Sequence, residues 1–117
     1  MVDFFWYPRC GTCQKARKWL EANDIQYTAM DLKEVHPDRV QLEEFLGKSG
    51  LTLKKFFNTS GLLYKEMGLK DKLGGMSQDE QLDLLASDGM LVKRPILICG
   101  DTVLVGFKEA EWEEKLK

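Results

Sequence analysis

The chain has 117 residues, 44% hydrophobic and 31% charged, which is enough to bury the core of one domain. Its 17 basic and 19 acidic residues give a net charge of −2, and the basic residues are too scattered to form the stripe that nucleic-acid binding usually needs. No apolar run is long enough to cross a bilayer, and the first residues lack the basic start and small-residue cleavage site of a secretory signal. We therefore expect a cytoplasmic protein that contacts neither nucleic acid nor a membrane directly.

The first third of the chain predicts a βαβ unit. Residues 2–7 are apolar and aromatic and predict a buried strand that ends at Pro8. Residues 12–23 carry a helical stripe that includes Cys13 and Leu20, and residues 25–32 predict a second strand. Cys10 and Cys13 therefore lie at the N-terminus of the first helix.

The pattern between residues 36 and 92 predicts helices. Pro37 suits a first helical position, and Gly47 suits the end of that helix, whose apolar face would be Val40, Leu42, Phe45 and Leu46. Short helices are predicted over residues 52–57 and 62–67. Ser77 and Glu80 have the spacing of a capping box that opens a further helix.

The last part of the chain predicts a hairpin and a helix. Residues 95–99 and 102–105 are compact apolar runs separated by a Gly-Asp turn, and residues 109–116 are helical. A parallel pair extended by an antiparallel hairpin makes a mixed four-stranded sheet. We therefore predict an α/β, thioredoxin-like fold (βαβ…ββα), with residues 1–117 forming one domain and residues 36–92 forming a helical insertion.

The Cys-Gly-Thr-Cys sequence is the candidate reactive site. Free N–H groups and the dipole of a helix N-terminus favour a thiolate at Cys10, to which Gly11, Thr12 and Cys13 offer backbone amides. Arg9 and Arg17 are near enough in sequence to add positive charge. We interpret Cys10 as the nucleophile and Cys13 as the resolving thiol.

Two other interpretations of the cysteines have to be considered. The pair could be a coincidence, although its position at the end of the first strand of a βαβ unit favours redox chemistry. A zinc site would need a second ligand pair, for which only Cys99 and His36 are available, so we expect no metal. Cys99 lies at the end of an apolar strand and is interpreted as a small hydrophobic residue.

Two segments resemble the ArsC/Spx family, which contains glutaredoxin-coupled arsenate reductases and Spx-type regulators of bacterial RNA polymerase. Residues 7–17 resemble the family's active-site loop, and residues 93–98 resemble its Arg-Pro signature. The resemblance implies that Cys10 is the nucleophile and that Arg94 binds an oxyanion or stabilises the thiolate. It also implies a cis peptide bond before Pro95, which would lie at the substrate site.

The resemblance also implies substrates and partners. The family's arsenate reductases have three arginines at the cysteine, of which Arg94 is retained, whereas Lys54 and a residue near Gly106 take the other two positions. We expect an enzyme acting on a small oxyanion or disulfide, with no bound cofactor and with glutathione and glutaredoxin, or thioredoxin, as external reductant or redox partner. The alternative is an Spx-type regulator, favoured by the Cys-x-x-Cys pair, that binds the RNA polymerase α subunit. A monomer is the expected state.

Overall fold

The computed structural model describes residues 2–117, which form four strands and six α-helices. The strands are β1 (Val2–Trp6), β2 (Tyr27–Asp31), β3 (Ile96–Cys99) and β4 (Thr102–Val105). The helices are α1 (Gly11–Ala22), α2 (Arg39–Ser49), α3 (Leu62–Glu66), α4 (Leu69–Lys72), α5 (Gln78–Ser87) and α6 (Glu109–Leu116). Shorter 3₁₀ turns cover Leu53–Phe56, Leu73–Gly75 and Gly89–Leu91. No helix among these residues is long and apolar enough to span a membrane.

The strands form one mixed sheet in the order β2-β1-β3-β4. β1 pairs with β2 in parallel through the α1 crossover, and it pairs with β3 antiparallel. β3 and β4 form the antiparallel hairpin. The predicted mixed four-stranded α/β fold is confirmed.

Alternate residues of the strands pack in two hydrophobic cores, one on each face of the sheet, because successive side chains of a strand point to opposite faces. On one face, Phe4 packs with Trp19 of α1 and Trp112 of α6. On the other face, Phe5 packs with Phe45 of α2 and with the other helices between β2 and β3. The sheet is therefore a middle layer, with the Cys-x-x-Cys helix on one side and the helical segment on the other.

The structure corrects three details of α2. Pro37 is not the first helical residue: α2 begins at Arg39, and Asp38 before it accepts a hydrogen bond on its carboxylate from the Gln41 N–H at 2.8 Å in a capping box. Gly47 does not end the helix, which continues to Ser49 and stops at Gly50, where φ is +70°. Val40 is 73% exposed and does not belong to the apolar face.

The segment between β2 and β3 contains α2 to α5 and one isolated β-bridge, between Phe57 and Val92. The helix predicted over residues 52–57 is a 3₁₀ turn, Leu53–Phe56. The capping box predicted at Ser77 is present, because the Glu80 N–H donates to the Ser77 hydroxyl at 3.1 Å and the Ser77 N–H donates to the Glu80 carboxylate at 2.9 Å. Local capping chemistry therefore determines where α5 begins.

Candidate functional site

Cys10 is the residue that leads from the loop after β1 into α1. Its backbone is extended, with φ −90° and ψ 120°, and the helix begins at Gly11. The Cys10 N–H donates to the Tyr7 carbonyl at 2.9 Å, and its own carbonyl accepts from the Gln14 N–H at 3.0 Å. The side chain is half-buried, so its sulfur is both held in place and accessible.

Cys13 lies in the first turn of α1 and is completely buried. The Tyr7 N–H donates to the Cys13 sulfur at 3.5 Å. The three-residue spacing puts both cysteines on the same side of the helix. The Cys10 side chain is therefore partly accessible, whereas Cys13 is closed to solvent.

Arg94 approaches Cys10 from the loop that precedes β3. Its guanidinium lies over the Tyr7 ring, 4.9 Å from the ring centroid, and its Nη1 donates to the Met90 sulfur at 3.7 Å. The bond from Arg94 to Pro95 is cis, as the family resemblance implied. A cation–π contact and a hydrogen bond thus orient the guanidinium beside the thiol.

The two cysteines have opposite pKa shifts. Partial burial alone would raise the pKa of Cys10, but the Cys13 N–H, the Cys13 thiol and the Arg94 guanidinium together hold it below the ordinary value. Burial raises the pKa of Cys13 to about 12, although the Tyr7 N–H acts in the opposite direction. Cys10 is therefore the more acidic thiol of the pair, and Cys13 keeps its proton to higher pH.

The other residues expected near Cys10 are distributed unevenly. Gly11 and Thr12 are exposed in the first turn of α1, where their amides face the end of the helix that favours anions. Arg9 is exposed in the loop before Cys10. Arg17 pairs with Glu21 at 2.9 Å, and its guanidinium lies over the Trp6 ring, 5.0 Å from the ring centroid.

Lys54 lies on the 3₁₀ turn Leu53–Phe56, where it lines a groove of about 570 Å³. Neither Cys10 nor Arg94 lines that groove. Gly106 has a φ of +79°, a conformation in which any other residue would be strained, and as a glycine it supplies no charge in place of the family's third arginine. Arg94 is thus the family arginine that the structure places at the thiol.

Sequence reasoning missed Tyr7 and Met90, which position Cys13 and Arg94. Tyr7 had one available signal, since it is the last aromatic residue before the Cys-x-x-Cys loop. Met90 had none, because its sulfur reaches Arg94 only after the 3₁₀ turn Gly89–Leu91 has formed.

Cys99 and His36 lie away from this site. Cys99 is the last residue of β3, at the opposite end of the strand from Arg94, and it pairs in register with Val2 and Thr102. The His36 Nδ1 faces the Pro37 carbonyl at 3.3 Å. Within residues 2–117, no three histidine, cysteine or acidic side chains cluster as a metal site would require.

Comparison with known proteins identifies the family. A sequence profile described as the ArsC family matches residues 5–115, which is nearly the whole chain. The chain belongs to the ArsC family. Its cysteine loop and its Arg94-Pro95 segment both fall within the matched range.

Curated ArsC-family relatives include regulators. The chain is 56% identical to the uncharacterized protein YusI of Bacillus subtilis, with 97% of this chain and 96% of YusI covered. It is 28% identical to the regulatory protein MgsR of the same organism, with 94% of this chain and 86% of MgsR covered. The global transcriptional regulator Spx of Streptococcus mutans is 24% identical, covering 95% and 80%.

Solved structures support the same family and fold. A candidate ArsC-family-related protein from Bacteroides fragilis is 50% identical with a TM-score of 0.94, covering 97% and 95%. A candidate arsenate reductase from Streptococcus mutans is 43% identical with a TM-score of 0.88, covering 97% and 98%. A glutaredoxin from Archaeoglobus fulgidus, at 11% identity and a TM-score of 0.51 over 99% of this chain and 85% of that one, shares the fold alone. The thioredoxin-like fold is confirmed.

Proposed function

We propose that this ArsC-family protein is a thiol-dependent oxidoreductase that cycles through Cys10. The observation that carries the proposal is the opposite direction of the pKa shifts of the two neighbouring cysteines. Cys10 has a lowered pKa beside Arg94, whereas Cys13 is buried with a pKa raised to about 12. A half-buried thiol of lowered pKa next to a buried thiol of raised pKa is the arrangement that disulfide exchange needs.

The proposed reaction has two exchange steps. The Cys10 thiolate attacks one sulfur of a substrate disulfide, so that a mixed disulfide forms and the other substrate sulfur leaves as a thiolate. Cys13 then loses its proton and attacks the Cys10 sulfur, which forms the Cys10–Cys13 disulfide and releases the second substrate thiolate. Two external thiols, from glutathione with glutaredoxin or from thioredoxin, reduce the Cys10–Cys13 disulfide to two thiols and are themselves oxidised to a disulfide.

Arg94 has two roles in this scheme. Its charge favours the thiolate before the attack, and it can bind an anionic group of the substrate afterwards, because a guanidinium binds oxyanions in a fork geometry. We also assign Gly11, Thr12, Pro95 and Lys54 to substrate binding. The backbone amides of Gly11 and Thr12 would bind an anionic group of the substrate, and Pro95 borders the site. Lys54 would contact a part of the substrate farther from Cys10.

The test is alkylation of the three thiols as a function of pH, followed by peptide mapping. We expect Cys10 to react at a lower pH than Cys99, and mild oxidation to join Cys10 to Cys13. Arg94→Gln should move the Cys10 reaction to higher pH, whereas Arg9→Gln serves as a charge-matched control with little effect. If Cys99 reacts first, or if Arg9→Gln has the larger effect, the proposed site is wrong.

Regulation is the second candidate function, and the MgsR and Spx relatives favour it. In this reading the Cys10–Cys13 disulfide is a switch, and the partner is the RNA polymerase α subunit. Pull-down with the C-terminal domain of that subunit, using oxidised protein, reduced protein and Cys10→Ser, separates the candidates. Redox-dependent binding without turnover of a small disulfide would favour the regulator. We assign both functions to a reducing, cytoplasmic setting.

A further inference from the structure

β4 is the last strand of the sheet, and one of its edges has no neighbouring strand among residues 2–117. The Gly106 N–H donates to the Pro95 carbonyl at 2.8 Å. Pro95 and Gly106 therefore face each other at a hydrogen-bonded position of the β3–β4 hairpin. Because bonded and non-bonded pairs alternate, the N–H and C=O groups of Val103 and Val105 point away from β3. Within the described chain no hydrogen bond to these outward groups is found.

The groove of about 570 Å³ that Lys54 lines runs along this edge. Val103, Leu104 and Val105 all line it. Successive strand residues point to opposite faces, so a groove that touches all three must follow the edge of the strand. Leu51 and Phe57 add further apolar surface.

The groove is positively charged although the whole chain carries −2. Only one of its lining residues is acidic, Glu111, whereas five are lysines: Lys54, Lys55, Lys93, Lys108 and Lys115. No carboxylate of residues 2–117 pairs with any of the five. β4 itself (Thr102–Val105) carries no charge, so the strand lacks the charged residues with which exposed edges often block pairing.

We propose that this groove binds an extended acidic segment of a partner protein, which adds as a strand to β4. Backbone groups of the segment would pair with Val103 and Val105, and its carboxylates would meet the lysines. A compact anion such as phosphate would use the lysines but leave the strand edge and the apolar surface unmatched. The inference does not rest on the proposed function, although Lys93 places the segment one residue from Arg94.

The probe is a fluorescent synthetic peptide of alternating glutamate and valine, tested with the full chain by fluorescence anisotropy and amide hydrogen exchange. Binding should protect the Val103 and Val105 amides and weaken as salt is added, because the ion pairs are exposed. Lys55→Glu/Lys108→Glu/Lys115→Glu should weaken binding about tenfold or more. The charge-matched control, Lys18→Glu/Lys65→Glu/Lys70→Glu, changes exposed lysines outside the groove and should leave binding almost unchanged.

Two control probes separate strand addition from simple charge attraction. A glutamate peptide with prolines in place of the central valines lacks the N–H donors at those positions, which interrupts strand pairing, and it should bind at least about tenfold more weakly. Equal binding by that peptide, inorganic phosphate competing at similar concentration, or no binding at millimolar peptide would each overturn the proposal. Protection of the Val103 and Val105 amides in concentrated protein alone would assign the edge to a second copy of the chain, and it would also overturn the proposal.

Discussion

Trp112 connects α6 to the loop beside the candidate site. It is completely buried, and its Nε1–H donates to the Gly106 carbonyl at 3.2 Å. Gly106 faces Pro95 in the hairpin register and donates its own N–H to the Pro95 carbonyl. Because proline has no N–H to return, Trp112 supplies the donor that the Gly106 carbonyl would otherwise lack.

We predict that Trp112→Phe lowers the free energy of unfolding by about 2–3 kcal/mol. A buried carbonyl left without its donor contributes about 1–2 kcal/mol of this loss. The smaller ring contributes about 1 kcal/mol more, because it leaves space among the neighbouring rings of Phe4, Trp19 and Phe107. Urea denaturation followed by far-ultraviolet circular dichroism gives the measurement, since this signal does not depend on the removed indole.

Trp19→Phe is the matched control. Trp19 is 7% exposed and packs edge-to-face against Trp112, 5.9 Å between ring centroids, but its indole N–H makes no hydrogen bond within residues 2–117. The control should therefore lose only the packing contribution, about 1 kcal/mol. Equal losses in the two variants would refute the assignment of a hydrogen-bond contribution to Trp112. We also expect Trp112→Phe to slow alkylation of Cys10, because Gly106 bonds to Pro95, which directly follows Arg94 in the chain.

Three further predictions concern the thiols and the substrate. Cys13→Ser should accumulate a stable mixed disulfide between Cys10 and glutathione, detected by intact mass; a variant that still turns over at the wild-type rate would contradict a resolving role. In the reduced protein, the free energy of unfolding should rise as the pH rises from the lowered pKa of Cys10 towards 9, because in this range the unfolded chain holds the Cys10 proton more tightly than the folded one. Between pH 9 and about 12 it should fall, because there the folded chain holds the proton of the buried Cys13 more tightly than the unfolded one. Urea unfolding across this range should show the rise disappear in Cys10→Ser, whereas a flat wild-type profile would contradict the pKa shifts. Arsenate reduction with glutathione and glutaredoxin should be weak, since losing an oxyanion donor costs on the order of a hundredfold in rate. Lys54→Arg should not restore this activity, because Lys54 lies in a groove that Cys10 does not line. Robust arsenate turnover by the wild type would overturn this expectation.

Short-range patterns were sufficient for the secondary structure around the cysteines. The apolar run before Pro8 and the helical stripe from Cys13 to Leu20 predicted β1 and α1, and the structure has both within a residue or two. The predicted position of a helix end depends on which residue is taken as its cap. Asp38 and Gln41 form a capping box like the one predicted at Ser77, whereas Pro37, which suits a first helical position, lies two residues before the start of α2. Several residues can begin a helix, and the packing of its buried face selects among them.

The sequence alone determined the fold class and placed Cys10 at the start of a helix, because strand alternation, helical periodicity and the Cys-x-x-Cys spacing are all local properties of the chain. Family resemblance added Arg94, although nothing local connects that residue to Cys10. Only the tertiary structure decided that Tyr7 and Met90 orient the Arg94 guanidinium, that burial raises the pKa of Cys13, and that Lys54 lies in the groove along β4. The physical reason is that pKa values and binding geometry depend on charges and burial within a few ångströms, and the chain brings such neighbours together from distant positions only when the sheet and its two helical layers pack.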